Sequence, residues 1–139
     1  MAQQAGSPEG GTTAAPLVLV VEDDPGSAAV LTDVLEDEGY AVRVMDTALA
    51  VLGDVERRRP AAIMLDLALP YRSGAALLVD LKAHPATASV PVIVVSANLE
   101  ALPLERAALA TARVAKPFDV ADLLAALQAA AAGGPRMGA

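Results

Sequence analysis

Leu17-Val18-Leu19-Val20-Val21-Glu22-Asp23-Asp24-Pro25 decides how this chain folds. Five consecutive apolar residues, three of them β-branched valines, favour a strand. No polar residue alternates with them, so both faces of that strand are expected to be buried, as in a parallel sheet covered on both sides by helices. The run stops abruptly on three acids. Asp24 is a good helix N-cap, and Pro25 suits the first helical turn, where its missing N–H is not needed. The predicted helix runs through Val30, Leu31, Val34 and Leu35 and stops near Gly39.

The same succession continues down the chain. Tyr40–Met45, Ala61–Leu65, Val90–Val95 and Arg113–Ala115 read as further strands. Asp46 or Thr47 is expected to cap a helix through Leu49, Val51, Leu52 and Val55. Its end at Glu56-Arg57-Arg58-Arg59-Pro60 reads as a solvated terminus whose cations suit the helix dipole. Leu77, Leu78 and Leu81 mark a third helix closed by His84-Pro85, with His84 near the dipole. Leu99–Thr111 reads as an alanine-rich helix interrupted early by Pro103. Asp119 is expected to cap a last helix through Leu123, Leu124 and Leu127. Residues 1–15 read as a disordered tail, 16–132 as one domain and 133–139 as a C-terminal tail. Strand then helix, five times over, predicts an α/β fold: a five-stranded parallel sheet with helices on both faces.

Composition narrows the function. The 139 residues are 55% hydrophobic, 19% charged and 2% aromatic, with a net charge of −7. A nucleic-acid or anionic-membrane surface needs a basic patch, so neither partner is expected. Absent cysteine excludes thiolate zinc sites and thiol catalysis, and the single histidine, His84, excludes multi-histidine metal sites. No apolar run approaches the roughly 20 residues that span a bilayer. With no signal peptide visible, a cytoplasmic protein is expected.

In open α/β sheets ligands bind outside the carboxyl ends of the strands. Those ends carry Glu22, Asp23 and Asp24 on strand one, Asp66 on strand three, Ser96 on strand four and Lys116 on strand five. Each alone has an ordinary reading: a helix cap, a loop acid, a turn residue, a surface lysine. Their conjunction on one edge is what is specific. Clustered carboxylates stay ionised only with a cation among them. Oxygen ligands without histidine or cysteine point to a hard ion, most simply Mg²⁺. A carboxylate can be a nucleophile toward phosphorus, and phosphoryl transfer needs mainly a metal, a lysine and a hydroxyl around the transferred group.

From Leu17 to about Ala132 the chain resembles the receiver domain of bacterial two-component response regulators. The matches are VLVVEDDP at Val18–Pro25, MLDLALP at Met64–Pro70 with Gly74 following, VVSA at Val94–Ala97 and KPFD at Lys116–Asp119. The resemblance implies strand order 2-1-3-4-5, the flavodoxin-like order for which a member of this family is the standard example. It implies that Asp66 accepts a phosphoryl group from a phosphohistidine on a sensor histidine kinase or phosphotransfer protein. Glu22, Asp23, Asp66 and the backbone carbonyl of Ala68 would hold Mg²⁺. Ser96, Ala97 and Lys116 would meet the phosphoryl group, with a cis Lys116–Pro117 bond. The implied role is a switch of protein contacts, in a monomer or weak dimer, with catalysis limited to the chain's own phosphorylation and dephosphorylation. One departure stands out. Arg113 occupies a position where the family often carries a tyrosine or phenylalanine that swings inward, so output at the helix 4–strand 5–helix 5 face is expected to run through Arg113. A phosphorylation-independent interaction module of the same fold is the alternative, against which the intact acid set argues. A phosphatase acting on exogenous substrate is weaker still, because Ala68 stands where such hydrolases carry a second acid.

Overall fold

Strand β1 (Leu17–Val21) shows why its sequence is apolar throughout. In the computed structural model, which describes residues 15–131, Val18 and Val20 pack on one face of the sheet and Leu19 and Val21 on the other. Strands β3 (Ala62–Leu65) and β4 (Val92–Ser96) behave in the same way. Ala62, Met64, Ile93 and Val95 join the first face, whereas Ile63, Leu65, Val92 and Val94 join the second. Strands β2 (Ala41–Met45) and β5 (Ala112–Ala115) lie at the two edges and are only partly buried. All neighbours are parallel and the order is β2-β1-β3-β4-β5, which is the expected 2-1-3-4-5.

Helices α1 (Pro25–Asp37) and α5 (Val120–Ala131) cover the first face, through Leu31 and Leu35 from one and Leu123 and Leu127 from the other. Each of these leucines is at most 2% exposed, and full burial of one contributes roughly 1.5–3 kcal/mol. Helices α2 (Val51–Arg58) and α3 (Gly74–Ala83) cover the second face with Val51, Val55, Leu77, Leu78 and Leu81. Asp24 caps α1, its Oδ2 accepting the Ser27 N–H at 2.8 Å, and Pro25 stands in the first turn. Gly39, at φ +93°, provides the left-handed residue that ends the helix.

Four expectations need correction. Helix α2 begins at Val51 behind Ala50 without a side-chain cap; Thr47 instead accepts the Leu49 N–H at 2.9 Å in a turn. Strand β4 begins at Val92, because the Val90 N–H turns back to the Thr87 carbonyl. The predicted helix over Leu99–Thr111 is a 3₁₀ turn (Leu99–Ala101) followed by the single-turn α4 (Leu104–Ala107). Pro103 has no N–H to continue the first turn. Beyond α4, Leu109 and Ala110 turn in to pack on the core, and tertiary burial overrides alanine's helix propensity. Finally, Arg57–Arg59 are not a freely solvated terminus. Arg58 bonds Asp54, Arg57 lies 3.9 Å from it, and Arg59 bonds the Ala86 carbonyl and Ser89 Oγ. The tails expected at 1–15 and 133–139 fall outside the described residues, apart from Ala15.

Candidate functional site

The parallel sheet brings the ends of β1, β3, β4 and β5 to one edge, and short backbone bonds tie them together. The Glu22 N–H reaches the Met45 carbonyl at 3.0 Å, the Asp66 N–H reaches Val21 at 3.0 Å and the Lys116 N–H reaches Ser96 at 2.9 Å. The acids therefore sit on a rigid frame rather than on free loops. Carboxylate oxygens of Glu22, Asp23 and Asp66 lie within 4.8 Å of one another. Glu22 and Asp66 are buried and Asp23 is exposed, so the cluster opens to solvent on one side.

Lys116 joins the cluster. Its ammonium donates to Glu22 Oε1 and lies 3.6 Å from Asp66 Oδ2. Burial by itself would lower the lysine's pKa, but the Glu22 hydrogen bond and the Asp66 and Glu22 charges outweigh it and raise the value. Burial pushes the Glu22 carboxyl up, and the Asp66 carboxyl adds to this against the opposing effect of Lys116. The Lys116–Pro117 bond is cis, as expected. Ser96 is buried and its Oγ accepts the Asn98 N–H at 3.2 Å, while Ala97 is exposed beside it. The Ala68 N–H donates to Asp66 Oδ1 at 3.2 Å and orients the carboxylate. The frame thus gathers Glu22, Asp23, Asp66, Ala68, Ser96, Ala97 and Lys116 at one edge. Arg113 stands apart, exposed on β5 opposite Val94, between a groove toward α4 and another toward α5.

The donor set fits a hard divalent cation. Three carboxylates and one ammonium leave two negative charges in a half-buried pocket whose ligands are all oxygen. Two features of the site escaped the sequence. Gly74 packs directly on the Asp66 backbone. Tyr71 sits at φ +70° in a three-residue turn closed by the Arg72 N–H on the Pro70 carbonyl at 2.8 Å.

Comparison with known proteins accounts for this architecture. The family model of the response regulator receiver domain matches residues 18–128. Protein Rrf1 of Nitratidesulfovibrio vulgaris is 34% identical over 117 residues, which are 83% of this chain and 82% of the relative. The DNA-binding response regulator MtrA of Mycolicibacterium smegmatis is 34% identical over 116 residues, 81% of this chain and 49% of the relative, so the chain spans about half of that protein. A solved structure of the receiver domain of sensor histidine kinase PA1611 from Pseudomonas aeruginosa, with a magnesium ion coordinated in its active site cleft, is 31% identical with a TM-score of 0.76. That match covers 86% of this chain and 99% of that one. The chain belongs to the response regulator receiver domain family. The family transduces signals rather than acting as classical enzymes, through contacts with histidine kinases or phosphotransfer proteins and with downstream proteins. Among the described residues no helix is long and apolar enough to cross a membrane.

Proposed function

We propose that the chain receives a phosphoryl group from a sensor histidine kinase or phosphotransfer protein on Asp66, in the cytoplasm, and thereby switches its contact with a downstream protein. The observation that carries this reading is the convergence of Glu22, Asp23 and Asp66 within 4.8 Å, with Lys116 among them, in a receiver-family chain. In the transfer an Asp66 carboxylate oxygen attacks phosphorus. The O–P bond forms, the N–P bond to the donor imidazole breaks, and the leaving nitrogen keeps the electron pair. Lys116, already 3.6 Å from Asp66 Oδ2, is placed to neutralise charge on a phosphoryl oxygen. Ser96 Oγ is the hydroxyl on the neighbouring strand end, and Ala97 follows it with a backbone N–H. Glu22, Asp23, Asp66 and the Ala68 carbonyl would hold Mg²⁺, which supplies charge neutralisation when bound. Beside Lys116, a groove of about 470 Å³ between α1 and α5 exposes Val30 and Val120, an apolar seat for the donor.

The test is to incubate the protein with a small acyl-phosphate donor and Mg²⁺ and weigh it intact. A phosphoryl mass gain that is lost in Asp66→Ala supports the reading. No gain under saturating donor, with rapid-quench sampling to catch a short-lived adduct, favours the phosphorylation-independent module. For output, Arg113 stands exposed on β5 and is the proposed reporter in place of an aromatic ring. Unchanged partner binding by phosphorylated Arg113→Ala would rule out that role.

A further inference from the structure

We propose that the flank formed by β2 and α2 docks an acidic segment of a partner protein, gripped by Arg43, Arg57 and Arg58, which Asp54 gathers into one patch. Asp54 lies in the first half of α2, beside the buried Val51 and Val55, with only 3% of its side chain exposed. Arg43, reaching across from β2, places Nε 3.2 Å from both carboxylate oxygens. Arg58 places Nε 3.1 Å from Oδ1, and Arg57 brings Nη2 to 3.9 Å. One arginine would neutralise the carboxylate. Three leave a local surplus of two positive charges on a chain whose net charge is −7.

The orientation of these side chains holds the cations over one carboxylate rather than over the helix terminus. Cations that serve a helix dipole reach toward the last carbonyls. Arg57 and Arg58 instead fold back by three and four residues to Asp54, and a methyl on Gly53 would lie 3.3 Å from Arg57 Nη1. The bonds from Arg43 and Arg58 use Nε. Their terminal Nη groups donate to no other protein atom among the described residues, and 42%, 70% and 49% of the Arg43, Arg57 and Arg58 side chains are exposed. A guanidinium anchored through one nitrogen loses less freedom on meeting a second carboxylate, and its planar fork matches that group's geometry.

What lies beside the cations favours a protein segment over a small anion or a nucleic acid. Arg43 also lines a shallow groove of about 430 Å³ with Val44, Met45 and Leu49, and Leu49 is 71% exposed. A segment carrying both acidic and apolar side chains uses cations and groove together, whereas inorganic phosphate uses only the cations. A nucleic acid would meet the repulsion of the whole acidic chain. Asp46 also lines the groove, and its charge repels carboxylates there and so directs the acidic residues toward the arginines.

The experiment is an NMR titration of the full ¹⁵N-labelled chain with a synthetic hexapeptide of glutamates and leucines. The readouts are the Nε–H signals of Arg43 and Arg58 and the amides of residues 43–50. These signals should move progressively, and raising salt or introducing Arg57→Glu should each weaken binding by about fivefold or more. Arg57 makes no hydrogen bond in the cluster, so the thermal midpoint should hold. Should Arg57→Glu lower it, Leu49→Ser provides an independent variant that should weaken binding in the same direction. The proposal is overturned by the absence of shifts at saturating peptide, by wild-type affinity in both variants, by equal shifts with inorganic phosphate at matched ionic strength, or by shifts confined to the surroundings of Asp66.

Discussion

Gly74 lies against the backbone of Asp66 so closely that a methyl group built on it would sit 2.1 Å from the Asp66 carbonyl oxygen and 2.7 Å from Leu67 Cα. Its N–H donates to the Leu67 carbonyl at 2.9 Å, which starts α3 directly beside Asp66. The clashing atoms are backbone, so no rotamer change relieves them. Gly74→Ala should therefore cost about 1–3 kcal/mol, toward the upper end, and shift the strand end that carries Asp66. Urea unfolding measures the first effect and the rate of mass gain from a small phosphodonor the second. An unchanged unfolding midpoint would contradict the packing.

A ligand that binds only the folded state raises stability with the logarithm of its free concentration over its dissociation constant. At ten times its dissociation constant, Mg²⁺ should add about 1.4 kcal/mol, or roughly 4 °C in thermal midpoint for a domain of this size. Asp23 is the exposed member of the acid cluster, and Asp23→Asn removes a proposed ligand without opening the core. The variant should lose most of the magnesium-dependent rise while keeping its metal-free midpoint within about 0.5 kcal/mol of the parent. A rise of equal size in both proteins would place the ion elsewhere.

The parts of the fold legible in the sequence are those where burial on both faces leaves no alternative. Strands β1, β3 and β4 read as unbroken apolar runs because helices cover both sides of them. The site acids were legible for a related reason, since a charge at the end of such a run needs a purpose. The helix expected after β4 does not form throughout, because even alanine's high helix propensity gives way to tertiary burial, and the pull of Leu102 and Leu109 toward the core is not visible in a linear pattern. The Glu22–Lys116 bond joins residues 94 apart and follows only from the sheet order. Asp54 reads as a surface acid until its periodicity with Val51 and Val55 is weighed beside arginines at i+3 and i+4 and the alternation of β2. That combination was the available signal.

Tyr71 adopts a conformation that a bulky residue rarely takes. Its φ of +70° in a three-residue turn costs about 1–2 kcal/mol in an L-residue. The residue is 84% exposed, so burial of the ring does not offset this, whereas Arg72 anchors the turn on Asp80 with Nε 3.0 Å from Oδ2. Glycine at this position would remove the strain and add about 0.5–1 kcal/mol of unfolded-state entropy. Tyr71→Gly should therefore be neutral or stabilising by up to about 1 kcal/mol, where most substitutions destabilise. Chemical denaturation decides it: a loss of stability would show that the ring makes a contact its exposure does not suggest.

The Asp54 cluster also predicts how stability depends on acid. Burial opposes the charged form, but the bonds from Arg43 and Arg58 outweigh it and hold the Asp54 carboxyl below its ordinary value of 3.8. A carboxyl depressed on folding contributes stability that is fully present above its unfolded value and is lost as pH falls through the lower, folded one. Asp54→Asn keeps the shape and removes the charge. Because the arginines are nearly half-exposed and can rehydrate, the cost at neutral pH should be about 1–2 kcal/mol. That difference should stay constant from neutral pH to just above 3.8 and shrink below it. Comparing the two proteins at each pH cancels the contributions that the two share. Urea unfolding of both at a series of pH values provides the measurement, and a difference that persists unchanged to the lowest pH at which the fold survives would show that the arginines do not depress the Asp54 carboxyl.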